Sequence, residues 1–595
     1  MPVKLNCPGS AGESMPRIAL CQTNPVTGDL EGNVRQILRD IERARRSGAE
    51  IALFPEAAIT GYCCGALFEQ ERFIRDNLAA LDDIAAAVPQ DMLAVVGFVD
   101  CRGREKSGAL RLTSSAALLQ GGRSIGAYDK MLLANEAHHE DRKYFTPGDA
   151  AKVFEVMLPS GPIRVGTPIC EDAWAHQHER DVIAEMVAGG AELILCLNQS
   201  YFHHGKQQLR RELFGTHAAH KGVPVAAVNA SGVGDIVKNI MLYDGGSLAF
   251  NAQGEQLAEL ARFAPDFSVI SLDGPAVRPR ERGKEEELHD ALLFAQREVF
   301  RCLGIPNAQV HLSGGVDSAL VAALVAEAMG PEHTVLISNP TEDNGPELRA
   351  MAQAIADNLT LPLYWNDSQA AYESIVRAHT AAFGAAPSPK GRGCIEAVLR
   401  TAQGVGAYHH FRSGIVATGN HTEIVEGWAT FHDIGSIGVH ALIGDLTKTE
   451  VYALARYVNQ RAGHEIIPAQ LYDGRIRPAA ELADANEDPL DYFVRAGICA
   501  ELVRCGRHPD DIIERFRRKE LDPQLFPEDW SGRSVYRHTE EEFSAEVWEA
   551  FRNAKASVFK SAQGAPVVLV SPRSRGFSSR ETVINHYSGG YRRRS

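Results

Sequence analysis

Residues 308–330 read as an apolar strand, a glycine turn and a helix of small side chains, and no other stretch narrows the fold of this chain as much. Residues 308–312 suit a short buried strand. Residues 319–329 are rich in Ala, Leu and Val and stop at Gly330-Pro331, a pair that ends helices. Between them lies Ser313-Gly314-Gly315-Val316-Asp317-Ser318. The glycines let the backbone approach an oxygen-rich ligand, the serines add hydroxyl donors, and the amides opening a helix carry partial positive charge. The stretch therefore reads as a phosphate cradle. Asp317 does not serve an anion by itself, but a carboxylate beside phosphates is accounted for if it holds Mg²⁺, which neutralises both. A plain strand-to-helix turn with a serine cap is the simpler alternative, and it does not require all five polar or glycine positions in this order. No Gly-Lys-Ser/Thr follows, so the loop is not of the Walker type.

Beyond the cradle, buried strands and helices go on alternating at residues 334–338, 347–358 and 361–364, the pattern of a doubly wound parallel sheet. A chain of 595 residues exceeds what one hydrophobic core supports, so at least two domains are expected. The charged run from Arg278 to Glu287 reads as the linker, dividing the chain into residues 1–275 and 276–595, with a helix at 288–302. A net charge of −15 argues against an extended nucleic-acid surface, and the locally basic end (Arg573, Arg575, Arg580 and residues 592–594) reads as solvated. Eleven cysteines without a repeated spacing suit a reducing cytoplasm better than a disulfide framework. No apolar run reaches the ~20 residues of a membrane helix, and the first residues lack the charged-then-apolar order of a signal peptide. The expectation is a soluble, cytoplasmic protein with no membrane or nucleic-acid partner.

In the first half, residues 1–15 read as a disordered lead-in, residues 17–21 as a strand and 32–47 as an amphipathic helix. Three later strands end on chemically capable side chains. Residues 50–54 lead through Pro55 to Glu56, residues 124–128 lead to Lys130, and residues 163–169 lead to Cys170. Strand ends are where α/β sites are built. A cysteine at such an elbow is a nucleophile if its thiolate is stabilised; a nearby ammonium does this, and a carboxylate moves the proton. Taken singly, Glu56 is equally well a solvated loop glutamate and Cys170 a small buried hydrophobe.

Together, Phe54-Pro55-Glu56, Lys130 and Cys170-Glu-Asp-Ala-Trp174 resemble the nitrilase superfamily, in particular its glutaminase members, over residues 17–273, including residues 198–206 and 243–247. The resemblance implies an αββα sandwich with Glu56 as general base, Lys130 as oxyanion stabiliser and Cys170 as nucleophile. It further implies that Ser200 and Lys206 contact glutamine. Those glutaminases carry Tyr six residues after the lysine; Glu136 stands there in this chain, facing the ammonium of glutamine in the same reading.

The second half is similar to the ATP pyrophosphatases through the Ser313–Ser318 loop, and to the glutamine-dependent NAD synthetases through further segments. These are Thr418-Gly-Asn-His-Thr-Glu423, residues 428–433, residues 444–451 and Arg477-Pro-Ala-Ala-Glu-Leu482. The likeness implies that Ser313, Gly314, Gly315, Val316, Asp317, Ser318 and Thr418 bind ATP and that Glu423 joins Asp317 at Mg²⁺. It also implies that Glu423, Lys560 and Cys394 lie at the deamido-NAD acceptor, and that the protein works as a homo-oligomer. The implied reaction is ATP-dependent amidation of deamido-NAD through an adenylated intermediate, with ammonia from glutamine. One element departs from the family: where it has Asn-[Ile/Leu]-Gln-Ala-Arg, this chain has Cys394-Ile-Glu396-Ala-Val398. Losing an arginine and gaining a carboxylate there keeps open a different carboxylate acceptor. A further alternative is an amide hydrolase whose second half only senses nucleotide. The histidine pairs at 138–139, 203–204 and 409–410 lack the spacing of a zinc motif.

Overall fold

A computed structural model describes residues 15–134, 139–236, 238–341, 345–427, 433–475 and 490–572. Glu136, the Arg477–Leu482 segment, residues 428–432, the lead-in at 1–14 and the basic end from Arg573 lie outside the described residues. The chain forms two compact units that divide between Glu281 and Arg282, with Asp235–Leu242 belonging to the second.

The first unit contains two six-stranded sheets. One runs in the order Asp266–Ile270, Ile18–Gln22, Ile51–Leu53, Leu93–Arg104, Leu110–Gln120, Arg123–Asp129. The other runs Gln256–Glu259, Leu248–Phe250, Val225–Asn229, Leu193–Asn198, Gly161–Gly166, Val153–Leu158. Strand alternation sorts the side chains of the first sheet. Ile18, Leu20, Leu53, Val95 and Leu118 share a core with Val165, Leu195 and Val225 of the second sheet. Their neighbours Ala19, Cys21, Ala52, Ala94 and Leu119 turn the other way, onto Ile37, Ile41, Leu81 and Ile84 of helices Leu30–Arg46 and Glu71–Ala87. Helix Lys206–Lys221 packs on strands Val225–Asn229 and Leu248–Phe250. This is the αββα sandwich, and each fully buried aliphatic side chain of its seam contributes about 1.5–3 kcal/mol.

The strand expected over residues 163–169 is shorter, Gly161–Gly166. Pro168 has no N–H to give the ladder, so only an isolated bridge, Ile169 to Leu197, continues it toward Cys170.

In the second unit the strands Leu363–Trp365, Thr334–Ser338, Asn307–His311, Ser413–Ala417, His440–Ala441 and Val567–Val568 lie side by side and all parallel. Asn239 and Ile240 add a further parallel pairing to Val567 and Val568. From Asn307–His311 the chain adds strands first to one side and later, from Ser413–Ala417, to the other. The sheet is doubly wound, and its switch point falls between these two strands, where such sheets bind ligands beyond the carboxyl ends. The run read as linker is partly helix: Lys284–Leu303 starts inside it, and Glu285, Glu286 and Glu287 form the first turn, where carboxylates suit the positive end of the helix dipole.

Candidate active sites

Glu56 follows the strand Ile51–Leu53 and lies against Gly97 of the neighbouring strand. A Cβ on Gly97 would stand 2.3 Å from Pro55 O and 2.7 Å from Glu56 Cα, so only glycine lets the two chains approach this closely. Lys130 follows the strand Arg123–Asp129, and its Nζ lies 2.8 Å from Glu56 Oε1 and 2.8 Å from Asp141 Oδ2. Ser114 Oγ donates to Glu56 Oε1 at 3.2 Å, while the Tyr62 hydroxyl donates to Asp141 Oδ1. Glu56 Oε2 is buried and makes no hydrogen bond among the described residues.

Cys170 opens a single 3-10 turn, Cys170–Ala173, with φ +44°, a conformation that costs a non-glycine residue roughly 1–3 kcal/mol. Asp172 holds it there. Its carboxylate accepts from Ile169 N (3.0 Å), Met131 N (3.1 Å), Leu132 N (2.8 Å) and Tyr128 Oη (2.8 Å), tying the cysteine turn to the segment that follows Lys130.

Burial raises the pKa of Glu56; Lys130 opposes the rise and Asp141 adds to it. Burial works against the Lys130 ammonium, yet Asp141 and Glu56 together push its pKa well above the usual lysine range. The Cys170 thiol is pushed up by burial and by Glu56, against Lys130. Lys130 thus acts in the expected direction, favouring the thiolate, while burial and the Glu56 charge act against it.

Of the residues expected to meet glutamine, Ser200 is buried, its N–H donating to Asn229 Oδ1 at 2.9 Å. Lys206 begins its helix with Nζ 4.2 Å from the Trp174 ring centre and 5.8 Å from that of Tyr201. Burial and Arg210 lower its pKa to about 8, while Cys170 and Glu171 act to raise it, so Lys206 stands within electrostatic reach of the thiol.

In the second unit the cradle joins Asn307–His311 to helix Val316–Met329. Gly314 has φ +89°, and a Cβ there would stand 2.2 Å from Leu348 O. The loop is tied by its own hydroxyls: Ser318 Oγ donates to Gly315 O (3.1 Å) and lies 3.1 Å from Ser313 Oγ, which accepts from Gly315 N (3.2 Å). Across the switch point, Thr418 and Gly419 follow Ser413–Ala417, and Asn420 caps helix His421–Glu426 by accepting from Glu423 N at 3.1 Å. Asn420 Nδ2 also donates to Asp317 Oδ1 at 2.8 Å. The two loops meet at Lys448, the first residue of helix Lys448–Ala462: its Nζ donates to Asp317 Oδ2 and lies 3.1 Å from Glu423 Oε1. Burial and the Asp317 charge raise the Glu423 pKa to about 7, with Lys448 opposing.

Lys560 Nζ donates to Gly427 O at 2.8 Å, and burial lowers its pKa together with Lys390, while Cys394 acts in the opposite sense. Lys560 and Cys394 are thus electrostatic neighbours, one on helix Glu540–Ser561 and the other on Pro389–Phe411. On the latter helix Glu396 is buried and accepts from Thr341 Oγ1 at 3.4 Å, whereas Val398 is exposed.

The sequence alone assigns no role to Asp141, Asp172, Asn420 or Lys448. Asp141 sits in the stretch His138-His139-Glu140-Asp141, which reads as solvated and carries no signal. The other three lie inside the segments 170–174, 418–423 and 444–451, where a carboxylate, an amide and a lysine with no assigned partner are the available signal.

Residues 17–281 match the carbon-nitrogen hydrolase family, and residues 292–521 match the NAD synthase family. The glutamine-dependent NAD(+) synthetase of Thermotoga maritima is 26% identical over 611 residues, covering 96% of this chain and 99% of that protein. Two solved structures share the fold along 96% of this chain and 98% of theirs. They are a glutamine-dependent NAD(+) synthetase from Cytophaga hutchinsonii (TM-score 0.78, 19% identity) and one from Acinetobacter baumannii in complex with ADP (TM-score 0.71, 23% identity). With both halves matched in this order and relatives of the same organisation aligned almost end to end, the chain belongs to the family of glutamine-dependent NAD synthetases.

Proposed function

We propose that this ligase amidates deamido-NAD to NAD, using ATP to activate the acceptor carboxylate and glutamine to supply ammonia. The observation that carries the reading is the presence in one chain of a buried Glu56-Lys130-Cys170 centre and a phosphate cradle at the switch point of a parallel sheet.

In the first centre Glu56 Oε2, which has no hydrogen-bond partner among the described residues, takes the Cys170 proton as Sγ attacks the side-chain amide of glutamine. The Lys130 ammonium stabilises the oxyanion, and the proton held on Glu56 passes to the departing ammonia. Water deprotonated by Glu56 then cleaves the thioester and releases glutamate. Ser200, Lys206 and Glu136 orient the substrate.

In the second centre the cradle from Ser313 to Ser318 and Thr418 hold ATP, and Glu423, Lys560 and Cys394 border the acceptor. The acceptor carboxylate attacks the α-phosphorus and pyrophosphate leaves. Ammonia then displaces AMP from the mixed anhydride. Asp317 and Glu423 supply oxygen donors that converge on one point, now bridged by a single ammonium, and this donor set fits Mg²⁺. When bound, Mg²⁺ neutralises phosphate charge and assists the leaving group.

By likeness to its family we place the enzyme in the cytoplasm as a homo-oligomer. No described helix is long and apolar enough to cross a membrane. The test is a supply of the two nitrogen sources to Cys170→Ala: synthesis from ammonium salt persists and synthesis from glutamine disappears. Loss of both in a folded variant contradicts the reading.

A further inference from the structure

Both oxygens of Asp317 are engaged, one by Asn420 Nδ2 and the other by Lys448 Nζ, which also reaches Glu423 Oε1. Asn420 is fixed, because its own Oδ1 caps the helix that carries Glu423. The Lys448 backbone is fixed as well: its N–H donates to Thr422 Oγ1 at 3.2 Å, and Thr447 and Glu450 form a capping box around it. What can move is the Lys448 side chain, four methylenes ending in an ammonium that also lies 5.3 Å from the Tyr492 ring centre.

An ammonium and a divalent cation cannot share the same two carboxylate oxygens, because they repel at contact distance. We propose that Lys448 is a built-in stand-in for the divalent ion. It keeps Asp317 and Glu423 together, excludes free metal, and yields its place only when the ion arrives with ATP. The triphosphate supplies what the protein lacks. Two carboxylates are too few to complete an octahedral shell, whereas phosphate oxygens both add ligands to the ion and offer the displaced ammonium a new anionic partner. Metal and nucleotide therefore load together, and Lys448 acts as a positioning residue for that step.

The inference rests on the reading of Asp317 and Glu423 as metal ligands, and its test separates the two. Mn²⁺ binding to the full chain is measured by electron paramagnetic resonance of the free ion, with and without ATP, in the native protein and in Lys448→Met, Lys448→Gln and Lys448→Arg. Without ATP, the Met and Gln variants should bind Mn²⁺ roughly tenfold or more tightly than the native chain, the scale of one charged contact. Lys448→Arg, which keeps the charge, should stay weak, and adding Asp317→Asn to Lys448→Met should abolish the gain. Equal nucleotide-free binding in the native, Met and Gln proteins overturns the stand-in role. Failure of every variant to bind Mn²⁺ even with ATP removes the metal reading itself.

Discussion

The two units solve one electrostatic problem in two ways. Each places a lysine between two carboxylates: Lys130 between Glu56 and Asp141, and Lys448 between Asp317 and Glu423. In the first trio every side chain is 1% exposed, and Tyr62, Ser114 and Ala134 N add hydrogen bonds to the carboxylates so that, among the described residues, one oxygen, Glu56 Oε2, is left over. That arrangement is closed, and on the proposed reading the remaining acceptor is the one that moves the proton. In the second trio the lysine is buried, but Asp317 and Glu423 are 15% and 26% exposed, and the Glu423 pKa sits near 7. The two carboxylates are thus less enclosed than those of the first trio, and burial and the Asp317 charge together disfavour the charged form of Glu423, which suits a site completed by a cation from outside. On the proposed reading, the same three residue types serve acid–base chemistry where they are sealed and ion capture where they are not.

Cys170→Ala should cut glutamine-driven synthesis by roughly 10⁴-fold or more, the scale for removing a nucleophile. Synthesis from ammonium salt should be unchanged, as read by NAD formation from each nitrogen source. Next is Asp317→Asn, which removes charge from the open trio and leaves the sealed one alone. Pyrophosphate release should fall roughly 10²–10³-fold with either nitrogen source, while glutamate release continues. A variant that keeps native pyrophosphate release would end the distinction drawn between the trios.

Asp172→Asn perturbs the sealed centre alone. It keeps the shape but trades one acceptor oxygen for a donor facing N–H groups, loosening both the Lys130 segment and the Cys170 turn. Glutaminase kcat should drop roughly 10–100-fold with little change in KM and no change in ammonium-driven synthesis. An equal loss in both activities would mean general unfolding instead. The smallest effect is a pH dependence. Burial depresses the Lys206 pKa to about 8, so the side chain is charged below that pH and neutral above it. KM for glutamine should therefore rise, by roughly tenfold at most, as pH climbs through about 8, and the rise should vanish in Lys206→Met. A native KM that stays flat to pH 9.5 would exclude a charged contact from Lys206.

Much of this was legible in the sequence because strand ends announce themselves. An apolar run followed by Pro55-Glu56, by Asp129-Lys130 or by a glycine cradle states which side chain the sheet delivers, and period-two and period-3.6 patterns state which faces are buried. What stayed hidden were partners supplied from elsewhere in the chain. Asp141 lies eleven residues beyond Lys130 in a charged stretch, and nothing local marks it as the second carboxylate of a buried trio. The start of helix Lys284–Leu303 was hidden too, because a first turn of three glutamates has the composition of a linker and differs only in facing a helix dipole. The end of the Gly161–Gly166 strand was, in contrast, readable from Pro168.

On the proposed reading, nitrogen released at Cys170 is the nitrogen that amidates the acceptor activated at the cradle. This is tested by giving the full-length protein ATP, Mg²⁺, deamido-NAD and glutamine labelled with ¹⁵N at its side-chain amide, in the presence of unlabelled ammonium, and weighing the product. The expected product is NAD carrying ¹⁵N in its carboxamide, formed with AMP and pyrophosphate in equal amounts. Release of labelled ammonia with deamido-NAD left unchanged, or faster amidation of a different carboxylate in its place, would contradict it.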